Sequence, residues 1–134
     1  MSRAVRWGAV ILLLIPVGCT KDEDYVEVAR EQRSAWQEMA DILAKVKDEK
    51  SMADAKTALV ERGPKYEGIA RKAKALPKPS AEVVKRLQED EFLIKATLKN
   101  LRTQAERVGK LPGGKEFMKQ FESSSQGLFS AVQP

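Results

Sequence analysis

Apolar residues recur three or four positions apart along most of the chain, a spacing that predicts long amphipathic helices. The first predicted helix begins at Tyr25 and ends near Lys50. One face of it carries a stripe made of Trp36, Met39, Leu43 and Val46. A large aromatic residue within such a stripe usually packs in a core, so we expect Trp36 to be buried rather than to bind a partner.

The second predicted helix begins at about Met52, where Ser51 and Asp54 resemble a capping box. Its stripe consists of Met52, Ala55, Leu59, Arg62, Tyr66, Ile69, Ala73 and Leu76. The Gly63-Pro64 pair interrupts it, and a proline inside a helix removes a hydrogen bond and clashes with the preceding turn. We therefore expect a kink or a break near Arg62. Because the stripe keeps its phase, one kinked helix is favoured over two separate helices.

Residues 77–80, with the sequence PKPS, mark the clearest boundary, because the prolines exclude a continued helix and Ser80 is a good cap for the next one. The third predicted helix runs to Gly109, which supplies a C-terminal stop. Its stripe consists of Val84, Leu87, Ile94, Leu98, Leu101, Ala105 and Val108. After a turn over residues 111–114, a shorter fourth helix is predicted from Phe117, Met118, Phe121, Leu128, Phe129 and Val132.

These patterns predict an all-α fold, an antiparallel bundle of three long helices plus a short C-terminal helix, in which residues 25–134 form one domain. Helices of about 25 to 29 residues give a bundle roughly 40 Å long. An extended coiled coil that dimerises has the same apolar spacing. The sequence therefore leaves that alternative, and the oligomeric state, open.

The N-terminal residues have the order of a secretory signal peptide. The positive charges Arg3 and Arg6 precede an apolar stretch over residues 7–17, which is followed by the small Gly18 and then Cys19. A helix that crosses a bilayer needs about 20 apolar residues, so this stretch is too short for a permanent transmembrane anchor. The simplest alternative is an ordinary cleaved signal peptide whose end contains a cysteine.

The sequence Val17-Gly18-Cys19 resembles the end of the lipobox of bacterial lipoproteins, although Pro16 stands where that family usually has an aliphatic residue. The resemblance implies that residues 1–18 are a lipoprotein signal peptide. It also implies that signal peptidase II cuts before Cys19, whose thiol carries a diacylglyceryl thioether, and that residues 19–24 form a tether. Because no aspartate follows Cys19, the resemblance favours the outer membrane where two membranes are present, with the domain facing the periplasm or the exterior.

Composition argues against several kinds of active site. The chain has no histidine, and lipidation would consume its single cysteine, so catalytic triads, zinc sites and covalent haem attachment are not expected. The acidic run Glu89-Asp90-Glu91 is interpreted as a solvated helix face, because consecutive helical residues point about 100 degrees apart. We therefore expect no enzymatic activity, no metal and no cofactor.

The charge is modest once the two arginines of the leader are set aside, because 22 of the 24 basic residues then oppose 19 acidic ones, a net charge of +3. The charges are interspersed, which is typical of a solvated helical surface and not of a nucleic-acid interface. One basic set consists of Arg62, Lys65, Arg71, Lys72, Lys74 and Lys78. These cations could meet anionic lipids, or they could compensate the acidic residues at the start of the first helix: Asp22, Glu23, Asp24, Glu27 and Glu31.

The sequence thus predicts a lipid-anchored envelope protein that acts as a non-enzymatic interaction or structural module and binds an envelope protein partner. The alternative is a carrier of a hydrophobic ligand in the periplasm. Such a carrier would open at Gly63-Pro64 or beneath a C-terminal aromatic flap of Phe117, Phe121 and Phe129. The aromatic residues that we expect to be partly exposed are Tyr25, Tyr66 and Phe92.

Overall fold

The structure, a computed structural model, describes residues 21–130 of the chain and the side chains of residues 21–123. Within that range it contains no strand and five helices, α1 (Asp22–Ala44), α2 (Glu49–Ala75), α3 (Ala81–Glu89), α4 (Glu91–Gly109) and α5 (Gly114–Ser130). The predicted all-α class is therefore confirmed for these residues. The predicted signal peptide over residues 1–18, the lipidation site Cys19 and residues 131–134 lie outside the described part of the chain.

Helix α1 begins at Asp22, three residues earlier than predicted, so the predicted tether over residues 19–24 is partly helical. Its first turn contains Asp22, Glu23 and Asp24, whose negative charges lie at the positive end of the helix dipole. The Asp24 carboxylate accepts a hydrogen bond from the Lys21 backbone N–H at 3.0 Å. The acidic residues that the sequence assigned to the tether therefore form the first turn of α1.

The carboxyl end of α1 has no basic residue in its own last turn. Arg107 of α4 supplies the missing cation. Its Nη1 donates to the carbonyl oxygen of Val46 and its Nη2 to that of Leu43, both at 2.7 Å, while its Nε donates to Gln104 Oε1 at 3.0 Å. Leu43 belongs to the last turn of α1 and Val46 follows the helix by two residues, so this half-buried arginine holds the end of α1 and faces the negative end of its dipole.

Helix α2 begins at Glu49, capped by Asp48, so the predicted start at Met52 is wrong by one turn. The Ser51 N–H donates to Asp48 Oδ1 at 2.8 Å, and the Asp48 N–H donates to Ser51 Oγ at 2.9 Å. Ser51 is therefore part of a capping box, but as its inner member. The helix continues through Pro64 without a break. Gly63 explains why, because it has no Cβ to clash with the proline ring that follows it.

The predicted third helix is divided at Asp90 into α3 and α4. The cap at Ser80 is confirmed, since its hydroxyl accepts from the Val83 N–H at 3.3 Å. Asp90 leaves helical geometry, with ψ at 3°, and aspartate is a residue whose side chain favours helix ends and turns over the helix interior. The break changes which residues face inward, so that Val83 is buried and the predicted Val84 is 39% exposed.

Helix α1 lies at the centre of the bundle, where it packs against α2, α3 and α4, while α5 packs against α2 and α4. The predicted α1 stripe forms the core, since Trp36, Met39, Leu43 and Val46 are at most 1% exposed. The predicted burial of Trp36 is therefore confirmed. The stripe is covered by apolar side chains of α2, α4 and α5: Met52, Ala55, Tyr66, Ile69, Leu101, Val108, Phe117, Met118 and Phe121.

Side-chain contacts fix the directions of the helices around α1. Lys72 of α2 meets Glu31 and Lys65 meets Glu38, so α2 runs antiparallel to α1. The α3–α4 pair runs in the same direction as α1, because Arg86 meets Glu23 near one end and Arg107 meets the carbonyls at the other.

The turn between α4 and α5 depends on glycine at two positions. Helix α4 ends at Gly109, as predicted, but the residue with positive φ is Gly113, at 76°. The following Gly114 is buried against α4, and a Cβ built there would lie 1.8 Å from the carbonyl oxygen of Val108. Since no L side chain fits that gap, glycine at position 114 permits the close approach that starts α5.

Replacing Arg107 by glutamine should lower the free energy of unfolding by about 2–3 kcal/mol, because two charge-assisted hydrogen bonds to helix-end carbonyls are lost. Urea denaturation followed by circular dichroism measures the change. Arg102→Gln is the matched control, since Arg102 is exposed on the same helix and its loss should change stability by less than about 0.5 kcal/mol. Equal losses in the two variants would contradict the capping role.

The variant Gly114→Ala should be destabilised by about 1–3 kcal/mol or more, because its methyl group overlaps the Val108 carbonyl and α5 must move away. The control is Gly68→Ala in α2, where an added Cβ meets nothing within 4 Å and alanine should stabilise the helix by about 0.5–1 kcal/mol. Thermal unfolding of both variants checks the opposite signs, and a stable Gly114→Ala protein would show that the turn tolerates a side chain.

Candidate functional site: the groove over helix α1

Helices α1 and α2 are joined by one carboxylate that two cations share. Glu38 accepts hydrogen bonds from Arg62 Nε and from Lys65 Nζ, the second at 3.0 Å. Burial raises the pKa of the Glu38 carboxyl, but the hydrogen bonds from Arg62 and Lys65 outweigh it and hold the pKa below its usual value. Glu38 is therefore ionised near neutral pH, and it links the helices instead of exchanging protons.

Tyr66 lies beside this pair and is 6% exposed, so its predicted partial exposure is wrong. It belongs to the α2 stripe and packs into the core formed around α1. Burial raises the pKa of the Tyr66 hydroxyl, the negative charge of Glu38 adds to that effect, and Arg62 opposes it. The Tyr66 hydroxyl is nevertheless buried without a hydrogen-bond partner.

Two further buried donors lack acceptors, Gln32 Nε2 and Trp36 Nε1. They stand one helical turn apart on the inward face of α1. A buried donor without a partner destabilises a fold by about 1–3 kcal/mol. The core is thus less stable than its apolar packing alone would make it.

The predicted compensation between the basic set and the start of α1 is confirmed in part. Lys72 Nζ pairs with Glu31 at 2.9 Å, whereas Arg62 and Lys65 pair with Glu38, which the sequence did not single out. Lys74 and Lys78 form no ion pair with any residue in the described range 21–123. The three α2 cations that pair with Glu31 and Glu38 form a row of ion pairs along one side of α1.

An open groove of about 1000 Å³ lies over the outward face of α1, between α2 and α4. We call it the α1 groove. Its floor contains Arg30, Arg33, Ser34, Gln37 and Asp41, and its walls contain Glu31, Glu38, Pro64, Lys65, Gly68, Ile69, Lys72 and Thr97. Sequence reasoning missed Arg30 and Arg33 as candidate site residues. The sequence pattern that could have identified them is a pair of arginines three positions apart on the side of α1 away from its apolar stripe.

A second groove, of about 560 Å³, lies between α4 and α5 and is lined in part by Leu101, Ala105, Met118 and Phe121. Phe117 and Phe121 of the predicted aromatic flap are buried in the core, at 8% and 4% exposure. The third member, Phe129, lies beyond the residues whose side chains are described. The flap is therefore docked through at least two of its aromatic residues.

Exposed aromatic and acidic residues fall mostly where the sequence indicated. Phe92 is 80% exposed, and Tyr25 is half-buried with its hydroxyl donating to the Pro77 carbonyl oxygen at 2.8 Å. Glu89 and Glu91 are exposed and Asp90 is half-buried. Among residues 21–123 no cluster of three or more potential ligands could hold a metal ion.

No helix within the described range is long and apolar enough to cross a membrane. No protein-family model, curated protein or solved structure matches this chain. The residues themselves therefore carry the functional argument.

Raising the pH above about 10, the ordinary pKa of tyrosine, should reduce the free energy of unfolding. The unfolded chain releases the Tyr66 proton in that range while the folded chain retains it, so stability falls as pH rises. Chemical denaturation at a series of alkaline pH values measures the slope. The control is Tyr66→Phe, which lacks the proton and should lose that part of the slope; at neutral pH it should match or exceed the parent by up to about 1 kcal/mol, because an unpaired hydroxyl is removed. An unchanged alkaline slope would assign the effect to another group.

Proposed function

We propose that this chain is a lipid-anchored cell-envelope protein that acts as a non-enzymatic interaction or structural module. The observation that carries the proposal is the N-terminal sequence, in which Arg3 and Arg6, the apolar residues 7–17 and the small Gly18 precede the single cysteine, Cys19. A diacylglyceryl thioether on Cys19 joins the chain to the membrane. The two or three acyl chains of a bacterial lipoprotein make such an attachment durable, whereas one chain binds only marginally.

The start of α1 sets how far the domain reaches. Helix α1 begins at Asp22, so Thr20 and Lys21 are the only residues between the anchoring cysteine and the helix. In this proposal the bundle lies directly at the membrane surface. The length of α1 places its carboxyl end roughly 35 Å from its first residue. The partner is accordingly a protein at or near the same membrane surface.

The proposed domain is an antiparallel bundle with three long arms, which are α1, α2 and the α3–α4 pair, and with α5 as a short fourth helix. The opposed directions of α1 and α2 and the packing of α5 against α2 and α4 support it. The paired charges support binding over chemistry, because Glu31 and Glu38 are engaged in links between helices. The interspersed charges also argue against a nucleic-acid partner.

A carrier of a hydrophobic ligand is the alternative that one observation favours. The groove between α4 and α5 has apolar residues along it and Arg102, Lys119 and Glu122 beside them. Its two cations outnumber its one carboxylate, a combination suited to an amphiphile with an acidic head. Lipid extraction of the purified chain followed by mass spectrometry discriminates the two functions. A stoichiometric amphiphile would favour the carrier, and its absence the interaction module.

Replacing Cys19 by serine should move the chain from the membrane fraction to the soluble fraction in its native host, because the thioether can no longer form. The intact mass of the parent protein should exceed that of the polypeptide from residue 19 onward by the mass of its acyl groups. Thr20→Ser is the control, since it changes the neighbouring residue and leaves the thiol. A Cys19→Ser protein that stays with the membrane, or a parent of unmodified mass, would contradict the proposed anchor. The outer membrane is the proposed location where two are present, and sucrose-gradient fractionation checks it.

A further inference from the structure

The floor of the α1 groove contains two arginines whose charge the bundle leaves uncompensated. Arg30 and Arg33 stand three residues apart on the outward face of α1. They also border a narrow gap between α1 and the α3–α4 pair, beside Arg86 and Asp90. No carboxylate among residues 21–123 lies within ion-pair distance of either arginine.

The acidic residues of the groove are already engaged. Glu31 holds Lys72, Glu38 holds Lys65 and Arg62, and Asp41 accepts a hydrogen bond from Gln37 Nε2 at 2.9 Å. Glu31 and Glu38 are neutralised by cations of α2, whereas Asp41 keeps its charge because Gln37 is neutral. The positive charge that has no carboxylate partner therefore lies at Arg30 and Arg33, toward the end of the groove away from Asp41. Arg33 is half-buried, which reduces the screening of its charge by solvent.

We propose that the α1 groove binds an acidic polypeptide segment, with Arg30 and Arg33 as the residues that pair with its carboxylates. This inference rests on the proposed function, because it names the chemistry of the partner that an interaction module would hold. The planar guanidinium group matches a carboxylate through two parallel hydrogen bonds, which a lysine cannot offer.

The shape of the groove favours a polypeptide over a lipid headgroup. The floor extends from Arg30 to Asp41, about 16 Å along α1, which is the length of roughly five extended residues. Ser34, Gln37 and Thr97 line the same groove and can hydrogen-bond a peptide backbone. A membrane surface is flat on this scale, whereas the guanidinium groups line a recess about 12 Å along α1 from its first residue.

The test measures binding of a fluorescein-labelled peptide of alternating glutamate and serine to the purified full-length mature protein in nonionic detergent. Fluorescence anisotropy at physiological ionic strength gives the dissociation constant. The double variant Arg30→Gln/Arg33→Gln should bind about tenfold more weakly or worse. The matched control is Lys47→Gln/Lys50→Gln, which removes two exposed cations with the same spacing near the start of α2, outside every groove described above, and should bind as the parent does.

Three further measurements keep the result decisive. Circular dichroism establishes whether each variant is folded. If the double variant is unfolded, the single variant Arg30→Gln, at an exposed position, replaces it and should show an intermediate loss of peptide binding. A peptide of alternating lysine and serine should not bind the parent.

Several outcomes would overturn the proposal. These are no binding of the acidic peptide, equal binding of the lysine peptide, and equal losses in the groove and control variants. Binding of phosphatidylglycerol vesicles that disappears in the groove variant, without peptide binding, would assign the arginines to a lipid surface instead. The anchor is tested separately by the Cys19→Ser fractionation, so a lipidated chain that does not bind the peptide refutes only the groove.

Discussion

The contact of Arg107 with the carboxyl end of α1 fixes the rest of the bundle. It holds α4 in register with α1, and that register places Thr97 at the edge of the α1 groove and Leu101 and Val108 in the core. Helix α4 ends two residues beyond Arg107, and the turn at Gly113 and Gly114 then leads into α5, which packs against α2 and α4. The carboxyl end of α1 has no cation of its own, and Arg107 therefore joins it to the α3–α4 pair.

Helix α1 has two faces with different tasks. Its inward face is covered by other helices. Three buried donors near that face, on Gln32, Trp36 and Tyr66, have no acceptor, so close apolar packing there coexists with incomplete hydrogen bonding. Its outward face remains open because α2 and α4 flank it without closing over it. The recess is thus a consequence of the central position of α1.

Much of the fold was readable in the sequence, because a helix that buries one stripe must repeat apolar residues every three or four positions. The α1 stripe and the Ser80 cap are examples. The errors have local causes that periodicity does not record. Asp48 and Ser51 are both good caps, and only the three-dimensional turn decides between them. The break at Asp90 interrupts a stripe that otherwise continues. The groove could not be predicted, since it depends on which helices flank α1.

The long separation between Arg107 and its acceptors also bears on how the chain folds. Val46 and Arg107 are 61 positions apart, and α1 and the α3–α4 pair lie side by side although α2 separates them in sequence. Contacts of this range form late, because the loop entropy must be overcome before they contribute. Until the last quarter of the chain has been synthesised, α1 can be covered by α2 but lacks Leu101, Val108 and the apolar residues of α5. The core around α1 is therefore completed only by the segment of the chain that is made last.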